Sequence, residues 1–431
     1  MKRIEVPSET LFGISKSVLK FVKQCEKEIQ SQFEKLGDTR AYNQYKVLNA
    51  MQKNRLSDTD FNWNSGYGYN ESGRDTLEKI YADVFGTEDA IVRPIIVNGT
   101  HAISLCLTGT LRPGDRLLSV TGPPYDTIRT LIGINGPKPS TLSEIGILYN
   151  QVELTESGDF DYDSISEALK SKPKMVYVQR STGYEWRKAV SIDKMRVLAE
   201  FVKSRSDETI LMVDNCYGEF LERIEPTEIG FDLAAGSLIK NPGGGLAMTG
   251  GYIAGKSNLI ELISHKMTSP GIGKECGLSF GMNRHFFQGF FMAPHTVTEA
   301  LKGALLCACI FDKLGFDTFP GLSDERSDII QSVKLNSKEA VICFCEAIQA
   351  SSPVDSHVRP IPWDMPGYET QVIMAAGTFI QGSSIELSAD SPLTPPYIAY
   401  FQGGLTYDHA RIGLMKALQN LIDQKYLSIQ Q

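Results

Sequence analysis

Residues 236–247 read GSLIKNPGGGLA, and the fold and chemistry of the chain depend on this stretch. A short apolar run leads to Lys240, which is followed by an Asn-Pro turn and three consecutive glycines. A phosphate-binding loop, a lysine that forms a covalent Schiff base and a plain surface turn would each use some of these residues. The fragment alone leaves the three alternatives open, and the rest of the sequence distinguishes between them.

The size and charge of the chain favour chemistry on small molecules. With 431 residues, of which 42% are hydrophobic, the chain is long enough for two domains or for one large α/β core with an appendage. Its formal net charge is −8, and its lysines and arginines form no cluster. Nucleic-acid backbones require clustered positive charge, so the sequence argues against nucleic-acid binding.

The cysteines and histidines do not indicate a metal site. The eight cysteines lie mostly in apolar stretches such as LLCACIF, which is typical of reduced packing residues. The pairs Cys307/Cys309 and Cys343/Cys345 lack zinc-knuckle spacing, and the six histidines are scattered. No apolar run approaches the roughly 18 residues of a membrane helix, and the first residues lack a signal-peptide core. We therefore predict a cytoplasmic protein without a metal and without membrane association.

Helical stretches alternate with short apolar runs, which predicts a mostly parallel sheet covered on both faces by helices. The runs are AIVRPIIV, DRLLSV, KMVYVQ, TILMVD, LAAGSLI and GGYIAG. Ligands of such sheets bind at the carboxyl ends of the strands. Polar residues follow the first four runs at 98–101, 121–126, 179–181 and Asp214.

Residues 250–257, GGYIAGKS, match the phosphate-loop pattern GxxxxGK[ST]. A strand ending in Asp214 could then serve as the magnesium-binding strand. The context argues against this assignment, because a phosphate loop follows an apolar strand, whereas GGGLAMT precedes this one. Tyr252 to Ala254 also resemble a strand through the loop itself. A phosphate-loop nucleotide hydrolase remains a low-ranked hypothesis.

Lys240 could instead hold pyridoxal phosphate, which needs an amine, an anion near its ring nitrogen, an aromatic face and phosphate donors. Asp214 ends an apolar strand 26 residues before Lys240, so neighbouring strands could bring the two together. Tyr217 could donate to the ring hydroxylate, and Tyr125 could lie against the ring. The alternatives are a capping role for Asp214, packing for Tyr217 and surface exposure for Tyr125.

The phosphate donors would come from a helix N-terminus and from Ser237. Gly99, Thr100 and His101 follow a strand and precede a helical stretch, so their backbone amides would point at an anion. A capped turn without a ligand is the alternative. The three glycines after Lys240 would let the backbone pass close to a ring and phosphate without side-chain collision.

Seven segments of the chain resemble the aluminium-resistance or methionine gamma-lyase-like family, in the cysteine and methionine metabolism branch of fold-type I pyridoxal-phosphate enzymes. The segments are GYGYNESGRDTLE, NGTHA, GPPYDT, DNCYGEF, GSLIKNPGGGLAMTGGYIAG, GSSIELSAD and QGGLTYDH, in order over residues 60–415. The resemblance implies an α/β protein with the fold-type I transferase architecture. This is a mostly parallel seven-stranded sheet flanked by helices, plus a smaller C-terminal α+β domain.

The resemblance also implies roles for individual residues. Lys240 would carry the cofactor, Asp214 would pair with its ring nitrogen and Tyr125 would stack on the ring, with Lys240 and Tyr125 as catalytic residues. The phosphate would be held by Ser237, Gly99, Thr100 and His101. The protein would be a homodimer or homotetramer in which Tyr67 or Tyr69 reaches the cofactor of the neighbouring subunit.

The substrate-binding residue departs from the family pattern. Relatives carry an arginine for the substrate carboxylate in the small domain, and Arg359 in HVRPIPW and Arg411 in DHARIG are the two possible matches. The helical pattern around Arg411 favours a salt bridge there, so we predict Arg359. Thr394 stands where we expect a basic residue in relatives.

Three segments are predicted along the chain. Residues 1–50 form an N-terminal helical segment, with apolar residues at helical spacing from Leu11 to Phe33. Residues 51–293 form a large domain that binds pyridoxal phosphate. Residues 294–431 form a connector helix and a small domain, with a helical stretch at 325–349, strands near TQVIMAAGTFI and SSIELSAD, and a closing helix from Tyr407.

The predicted function is that of a pyridoxal-phosphate-dependent carbon–sulfur lyase. It would perform β- or γ-elimination on cystathionine-, cysteine- or methionine-like amino acids, with Lys240 as the general base. Only the resemblance favours sulfur, because the same residues would support transamination. An aminotransferase is therefore the first alternative, and the phosphate-loop nucleotide hydrolase is the second.

Overall fold

The computed structural model describes residues 8–134, 139–365 and 370–429. The helices of these ranges are α1 (Lys16–Glu28), α2 (Gln30–Lys53), α3 (Ser72–Phe85), α4 (Gly99–Thr110), α5 (Asp126–Ile132), α6 (Tyr162–Leu169), α7 (Ile192–Lys203), α8 (Ser257–Met267), α9 (Asn283–Lys313), α10 (Lys338–Gln349) and α11 (Tyr407–Asp423). None of them combines the length and the apolar character that crossing a membrane requires.

The strands of the described ranges number twelve. They are β1 (Asp89–Arg93), β2 (Arg116–Ser119), β3 (Leu148–Gln151), β4 (Met175–Gln179), β5 (Ile210–Asp214), β6 (Leu233–Ser237), β7 (Gly251–Gly255), β8 (Thr318–Phe319), β9 (Ile330–Lys334), β10 (Val372–Ala375), β11 (Ser388–Pro392) and β12 (Ile398–Gln402).

Contacts divide the chain into two compact units. The larger unit contains Thr39–Gly183 and Lys188–Pro294. The smaller unit contains His295–Gln431, the stretch before Thr39 and the short segment Tyr184–Arg187. Two of the divisions fall inside α2 and α9, and the other two flank Tyr184–Arg187.

The larger unit is built on a seven-stranded sheet with the order β1-β7-β6-β5-β4-β2-β3. Strands β3, β2, β4, β5 and β6 run parallel, and β7 runs antiparallel to both β6 and β1. The predicted mostly parallel seven-stranded sheet is confirmed. Strand β3 was not predicted, because its exposed sequence LYNQ lacks the apolar character of the other runs.

Both faces of this sheet are buried, which explains why its central strands are apolar throughout. Because side chains alternate along a strand, Tyr177 and Met212 join one hydrophobic cluster, whereas Val178 and Val213 join the other. Helices α4 and α8 contribute to the first cluster, and α6 and α7 contribute to the second. The sheet is therefore a middle layer between two layers of helices.

The smaller unit contains a five-stranded antiparallel sheet with the order β10-β11-β12-β9-β8. Its hydrophobic core combines residues of these strands with residues of α1, α10, α11 and the C-terminal half of α9. The predicted α+β character of this region is confirmed. The closing helix begins at Tyr407 as predicted, with Thr406 as its N-cap.

Several predicted elements of the smaller unit have different limits. The predicted helix at 325–349 is wrong in its first part, because β9 occupies Ile330–Lys334 and Ser337 caps α10. The N-terminal helix begins at Lys16 after a Ser15 cap, so Leu11 lies outside it and is 85% exposed. Val18, Val22 and Ile29 are buried as predicted.

The long helix α9 begins at Asn283 and contains Pro294, where the sequence predicted a helix start. All eight cysteines are free thiols, and Cys276 is the one that is partly exposed while the others are buried. This burial agrees with their predicted role as reduced packing residues.

Candidate active site

Three neighbouring parallel strands bring polar residues to one edge of the sheet. Gln179 at the end of β4 lies opposite Asp214 at the end of β5, and Asp214 lies opposite Ala235 on β6. Strand β6 ends at Ser237, three residues before Lys240. The carboxyl ends of these strands therefore form one site, as expected for an α/β sheet.

Asp214 is buried and is held by two hydrogen bonds. Its Oδ1 accepts from the Cys216 amide at 3.1 Å, and its Oδ2 accepts from the Tyr177 hydroxyl at 3.3 Å. Burial raises the pKa of Asp214, and the positive charge of Lys240 is the largest effect that opposes this rise. Asp214 is thus a fixed carboxyl group within electrostatic reach of Lys240.

Lys240 is half-buried and lies three residues after the end of β6. Its Nζ lies 4.1 Å from the ring centroid of Tyr217, in a cation–π arrangement. Burial by itself would lower the pKa of Lys240, but the acidic groups around it raise that pKa above its ordinary range. In order of effect these groups are Cys216, Tyr217, Asp214 and Glu219. The structure therefore brings Lys240, Asp214 and Tyr217 together, as the sequence predicted.

Gly99 begins α4 and packs against Ser237 with no room for a side chain. A Cβ added at Gly99 would lie 2.9 Å from Sγ of Cys216 and 3.4 Å from Cβ of Ser237. The backbone at the start of α4 can therefore approach the end of β6 closely. A helix N-terminus beside a serine hydroxyl suits a phosphate group.

The residues after Gly99 differ in how they could contribute to such a cradle. The amide of His101 already donates to Oδ1 of Asn98 at 2.9 Å, and Nδ1 of His101 accepts from the Val97 amide at 3.2 Å. Burial lowers the pKa of His101. Asn98 therefore caps α4 through the His101 amide, and a contact of His101 with a phosphate stays a prediction. Thr100 shares a 2.8 Å hydrogen bond with Thr127 through their hydroxyls.

Tyr125 lies at the start of α5 and is anchored to the end of β4. Its amide donates to Oε1 of Gln179 at 2.6 Å. Its ring faces Gly183, where an added Cβ would lie 3.3 Å from Cδ2 of Tyr125. The backbone of Tyr125 is thus positioned from the same sheet edge as Asp214, whereas a role in stacking on a cofactor stays a prediction.

Tyr67 and Tyr69 lie on an exposed loop of the larger unit. Their side chains are 76% and 59% exposed, and their ring centroids are 5.7 Å apart. The loop is nevertheless anchored, because the buried guanidinium of Arg74 donates to the carbonyls of Gly68 at 2.7 Å and Gly277 at 3.1 Å. This places both rings at the surface, where a partner could contact them.

The two candidate arginines lie in the smaller unit and are both engaged with carboxylates. Arg359 is largely exposed and donates to Glu346 at 2.6 Å. Arg411 donates to Glu26 at 2.7 Å and to Glu9 at 3.0 Å, which is the salt-bridge role that its helical pattern favoured. A substrate-binding role for Arg359 stays a prediction, and it would require release of Glu346.

Two of the glycines after Lys240 are required by close backbone packing, which the sequence did not reveal. A Cβ at Gly243 would lie 1.7 Å from the carbonyl oxygen of Leu238. A Cβ at Gly244, where φ is +54°, would lie 2.3 Å from the carbonyl oxygen of Gly289 on α9. These two glycines therefore allow the turn to fold on itself and against α9, and their predicted role in letting the backbone pass close to a ligand stays a prediction.

The phosphate-loop alternative is contradicted by the position of GGYIAGKS. Residues Gly251–Gly255 form strand β7, which pairs with β1 on one side and β6 on the other. Backbone groups paired in a sheet cannot cradle a phosphate. Lys256 forms a 2.7 Å ion pair with Asp232.

Three residues of this region have contacts that the sequence did not indicate. Tyr177 bonds Asp214, Gln179 holds the backbone of Tyr125, and Glu219 lies buried near Lys240. Gln179 was noticed only as a polar residue at a strand end. Tyr177 and Glu219 gave no signal, because their partners are fixed by strand register and by long-range packing.

The family model described as methionine gamma-lyase matches residues 18–422. The chain belongs to this family. YnbB of Bacillus subtilis is 50% identical over 400 residues, which cover 93% of this chain and 94% of that protein. The predicted family is confirmed.

Solved structures agree with the family assignment. The structure of a carbon–sulfur lyase involved in aluminium resistance from Clostridium novyi NT has a TM-score of 0.92 and 51% identity, and the match covers 96% of this chain and 97% of that one. The pyridoxal-5′-phosphate-dependent protein YhfS of Escherichia coli has a TM-score of 0.61 and 15% identity, over 90% of this chain and 97% of that one. The second likeness concerns the fold alone. It agrees with the fold-type I architecture.

The residues of the site fit pyridoxal phosphate, the cofactor expected for this family. Lys240 supplies an amine, and the buried Asp214 supplies a carboxyl near it. The close packing of Gly99 against Ser237 leaves backbone amides and a hydroxyl where a phosphate would be held. The family assignment makes the protein an enzyme of the carbon–sulfur lyase family.

Proposed function

We propose that this enzyme is a pyridoxal-phosphate-dependent lyase that cleaves the carbon–sulfur bond of cystathionine-, cysteine- or methionine-like amino acids. The products of β- or γ-elimination would be a thiol, ammonia and a 2-oxo acid, with one water consumed. The observation that carries the proposal is the approach of Lys240 to Asp214 and Tyr217 at the carboxyl edge of the sheet, in a chain of this family.

The cofactor, when bound, supplies an electron sink that acidifies the α-proton of an amino acid. Lys240 would hold the cofactor and carry the α-proton on its Nζ. Asp214 would face the ring nitrogen, and its hydrogen bonds from Cys216 and Tyr177 would keep the carboxylate oriented.

The remaining residues would orient the cofactor. The amides of Gly99 and Thr100 and the hydroxyl of Ser237 would hold the phosphate. Tyr125 would lie against the ring, with its backbone fixed by Gln179. Tyr217 would donate to the ring hydroxylate.

We also propose that the enzyme acts as a homodimer or homotetramer. Trp63, Tyr67 and Tyr69 are each more than half exposed, which is unusual for three large aromatic side chains so near in sequence. An interface between subunits would bury them, and Tyr67 or Tyr69 would then reach the site of the neighbouring subunit.

An absorption spectrum of the purified protein, followed by borohydride reduction and peptide mapping, tests the cofactor assignment. A visible Schiff-base band that reduction fixes onto Lys240 is the expected result. A colourless protein that does not bind added pyridoxal phosphate would sink the proposal.

A substrate panel then distinguishes lyase from aminotransferase activity. With cystathionine, cysteine and methionine we expect release of a thiol and ammonia without any added keto acid. Amine transfer to an added keto acid, with pyridoxamine phosphate left on the protein, would instead identify the aminotransferase.

A further inference from the structure

A buried glutamate that has no part in the mechanism above interacts electrostatically with Lys240 and is hydrogen-bonded to the residue after it. Glu219 is completely buried in the larger unit, and its Oε1 accepts a 2.8 Å hydrogen bond from the hydroxyl of Tyr252 on β7. Its Oε2 is also buried and has no hydrogen-bond partner within the described residues. An unpaired carboxylate oxygen is costly in the protein interior, so this group calls for an explanation.

The Glu219 carboxyl lies on the face of β6 opposite to Ser237. A Cβ added at Gly236 would lie 2.6 Å from Oε1 of Glu219, whereas the Cβ of Ser237 points towards Gly99. Successive residues of a strand face opposite sides of the sheet. The carboxyl therefore approaches the lysine segment from behind, away from the proposed phosphate cradle.

The position of Glu219 is fixed by the segment that carries Lys240. The side chain of Asn241, the next residue, donates to the backbone carbonyl of Glu219 at 2.9 Å. The side-chain amide of Asn215 donates to the hydroxyl of Tyr252 at 3.4 Å and to Oε2 of Glu225 at 3.0 Å. Asn215 directly follows Asp214, so the network connects the segment that carries Asp214 with the segment that carries Lys240.

We propose that Glu219 is a positioning residue for Lys240, whose carboxyl contributes to the charge of the lysine amine from the rear face of β6. This inference deepens the proposed function and rests on it for its consequence, because the Lys240 amine is the proposed proton carrier. Glu219 touches neither substrate nor cofactor and acts through Lys240.

The surroundings of Glu219 determine when it carries charge. Burial raises the pKa of Glu219 to about 8, although the Tyr252 hydrogen bond and the charge of Lys240 act in the opposite direction. The carboxyl is therefore protonated at neutral pH and becomes an anion above about pH 8. The titratable groups that interact with it are Tyr252, Tyr81, Glu225, Cys216 and Lys240.

Once ionised, Glu219 adds to the rise in the pKa of Lys240 that Cys216, Tyr217 and Asp214 produce. Replacing Glu219 by glutamine preserves the shape and removes the charge. The Lys240 amine should then lose its proton more readily, but only at pH values where wild-type Glu219 is ionised. A merely structural role for Glu219 would not produce this dependence on pH.

Competitive acetylation of the full-length, cofactor-free chain tests the proposal, because only the uncharged amine reacts. Trace acetic anhydride is applied over a pH range, and peptide mass spectrometry compares acetylation of Lys240 with that of Lys256 in the same sample. Lys256 is the internal reference, because the acidic groups that raise its pKa are Asp232, Asp207 and Glu88 rather than Glu219.

For Glu219→Gln, the Lys240 to Lys256 ratio relative to wild type should be near 1 at about pH 6.5 and severalfold higher at about pH 9.5, because removal of a neighbouring negative charge lowers the pKa of a lysine. A ratio that is unchanged at both pH values, or changed by the same factor at both, would overturn the proposal.

Tyr252→Phe provides a second variant that keeps the carboxyl. Loss of the Tyr252 hydrogen bond raises the pKa of Glu219 further. The acetylation ratio should therefore differ from wild type at pH values between the wild-type and the variant pKa of Glu219, and it should equal the wild-type ratio again at higher pH. A Tyr252→Phe profile identical to wild type contradicts the proposal. The assay reads the amine itself, so it is independent of whether the enzyme proves to be a carbon–sulfur lyase.

Discussion

The hydroxyl of Tyr177 donates a hydrogen bond to Oδ2 of Asp214 across the neighbouring strands β4 and β5, over 3.3 Å. This bond orients a carboxyl group that burial would otherwise favour in its neutral form. The two residues therefore have separable roles. Asp214 would supply charge at the ring nitrogen, and Tyr177 would supply only orientation.

Asp214→Asn is expected to lower kcat by at least about 100-fold, as for other preorganised electrostatic groups. Tyr177→Phe should lower kcat by about tenfold or less, since a single neutral hydrogen bond contributes about 1 kcal/mol. Steady-state thiol release measures both, with cofactor content determined for each preparation. Equal losses in the two variants would contradict the separation of charge from orientation.

Lys240→Ala should abolish both the Schiff-base absorption band and thiol release, because no other amine replaces it at the end of β6. Lys256→Ala is the matched control, since this partly exposed lysine lies in the GKS sequence but pairs with the buried Asp232, which also pairs with Lys203. It should retain wild-type activity. Loss of activity in Lys256→Ala with full activity in Lys240→Ala would reverse the assignment.

Gly99→Ala should weaken binding of pyridoxal phosphate, because the new methyl group would lie 2.9 Å from Sγ of Cys216. Overpacking of this kind costs about 1–3 kcal/mol. The double variant Gly99→Ala with Cys216→Ala removes the sulfur and should recover part of the affinity. Equilibrium titration of the cofactor-free chain measures this, and an absence of recovery would place the effect elsewhere.

The stability of the protein should depend on Asp390 in the smaller unit. Burial raises the pKa of Asp390 from 3.8 to about 7, with a hydrogen bond from Tyr184 acting in the opposite direction. The folded state therefore holds a proton that the unfolded chain releases, and stability falls as the pH rises through this window. Three pKa units correspond to a loss of up to about 4 kcal/mol above the window.

Asp390→Asn should remove this loss, so the variant gains stability over wild type as the pH rises from about 4.5 to about 8. Thermal unfolding of the cofactor-free chain at the two pH values measures the difference. Asp317→Asn is the surface control, because the Asp317 side chain is 73% exposed. A gain of the same size at both pH values would show that titration of Asp390 is not its cause.

Mixing inactive variants tests whether subunits share active sites. A site in a hybrid dimer of Lys240→Ala and Tyr67→Ser subunits is intact when it combines the lysine of one subunit with the tyrosine of the other. Random exchange should then restore about a quarter of wild-type activity, because half of the dimers are hybrids with one intact site each. A Tyr69→Ser partner serves as the parallel test, and no recovery in either mixture would exclude a shared site.

The central strands and the lysine could be predicted because their signals are local. Runs such as KMVYVQ and TILMVD are apolar on both faces, which only a sheet covered on two sides accommodates. Lys240 and Asp214 follow such runs, so their delivery to one edge of the sheet follows from parallel strands. Strand β3 was missed because it is an exposed edge strand without an apolar run. Strand β9 was missed because it lies shortly before α10 and was included in the predicted helix at 325–349.

The sequence by itself indicated the layered α/β fold and the pair Lys240 and Asp214, since apolar runs and the polar residues at their ends are local features of the chain. The family followed from the resemblance of seven sequence segments. Only the tertiary structure decided that the Tyr177 hydroxyl donates to Asp214, that Gln179 holds the backbone of Tyr125 and that Glu219 is buried against Gly236 and Tyr252. The first two relationships depend on strand register, because a shift of one residue would move the side chains of a strand to the other face. The third depends on packing between segments that are distant in the sequence.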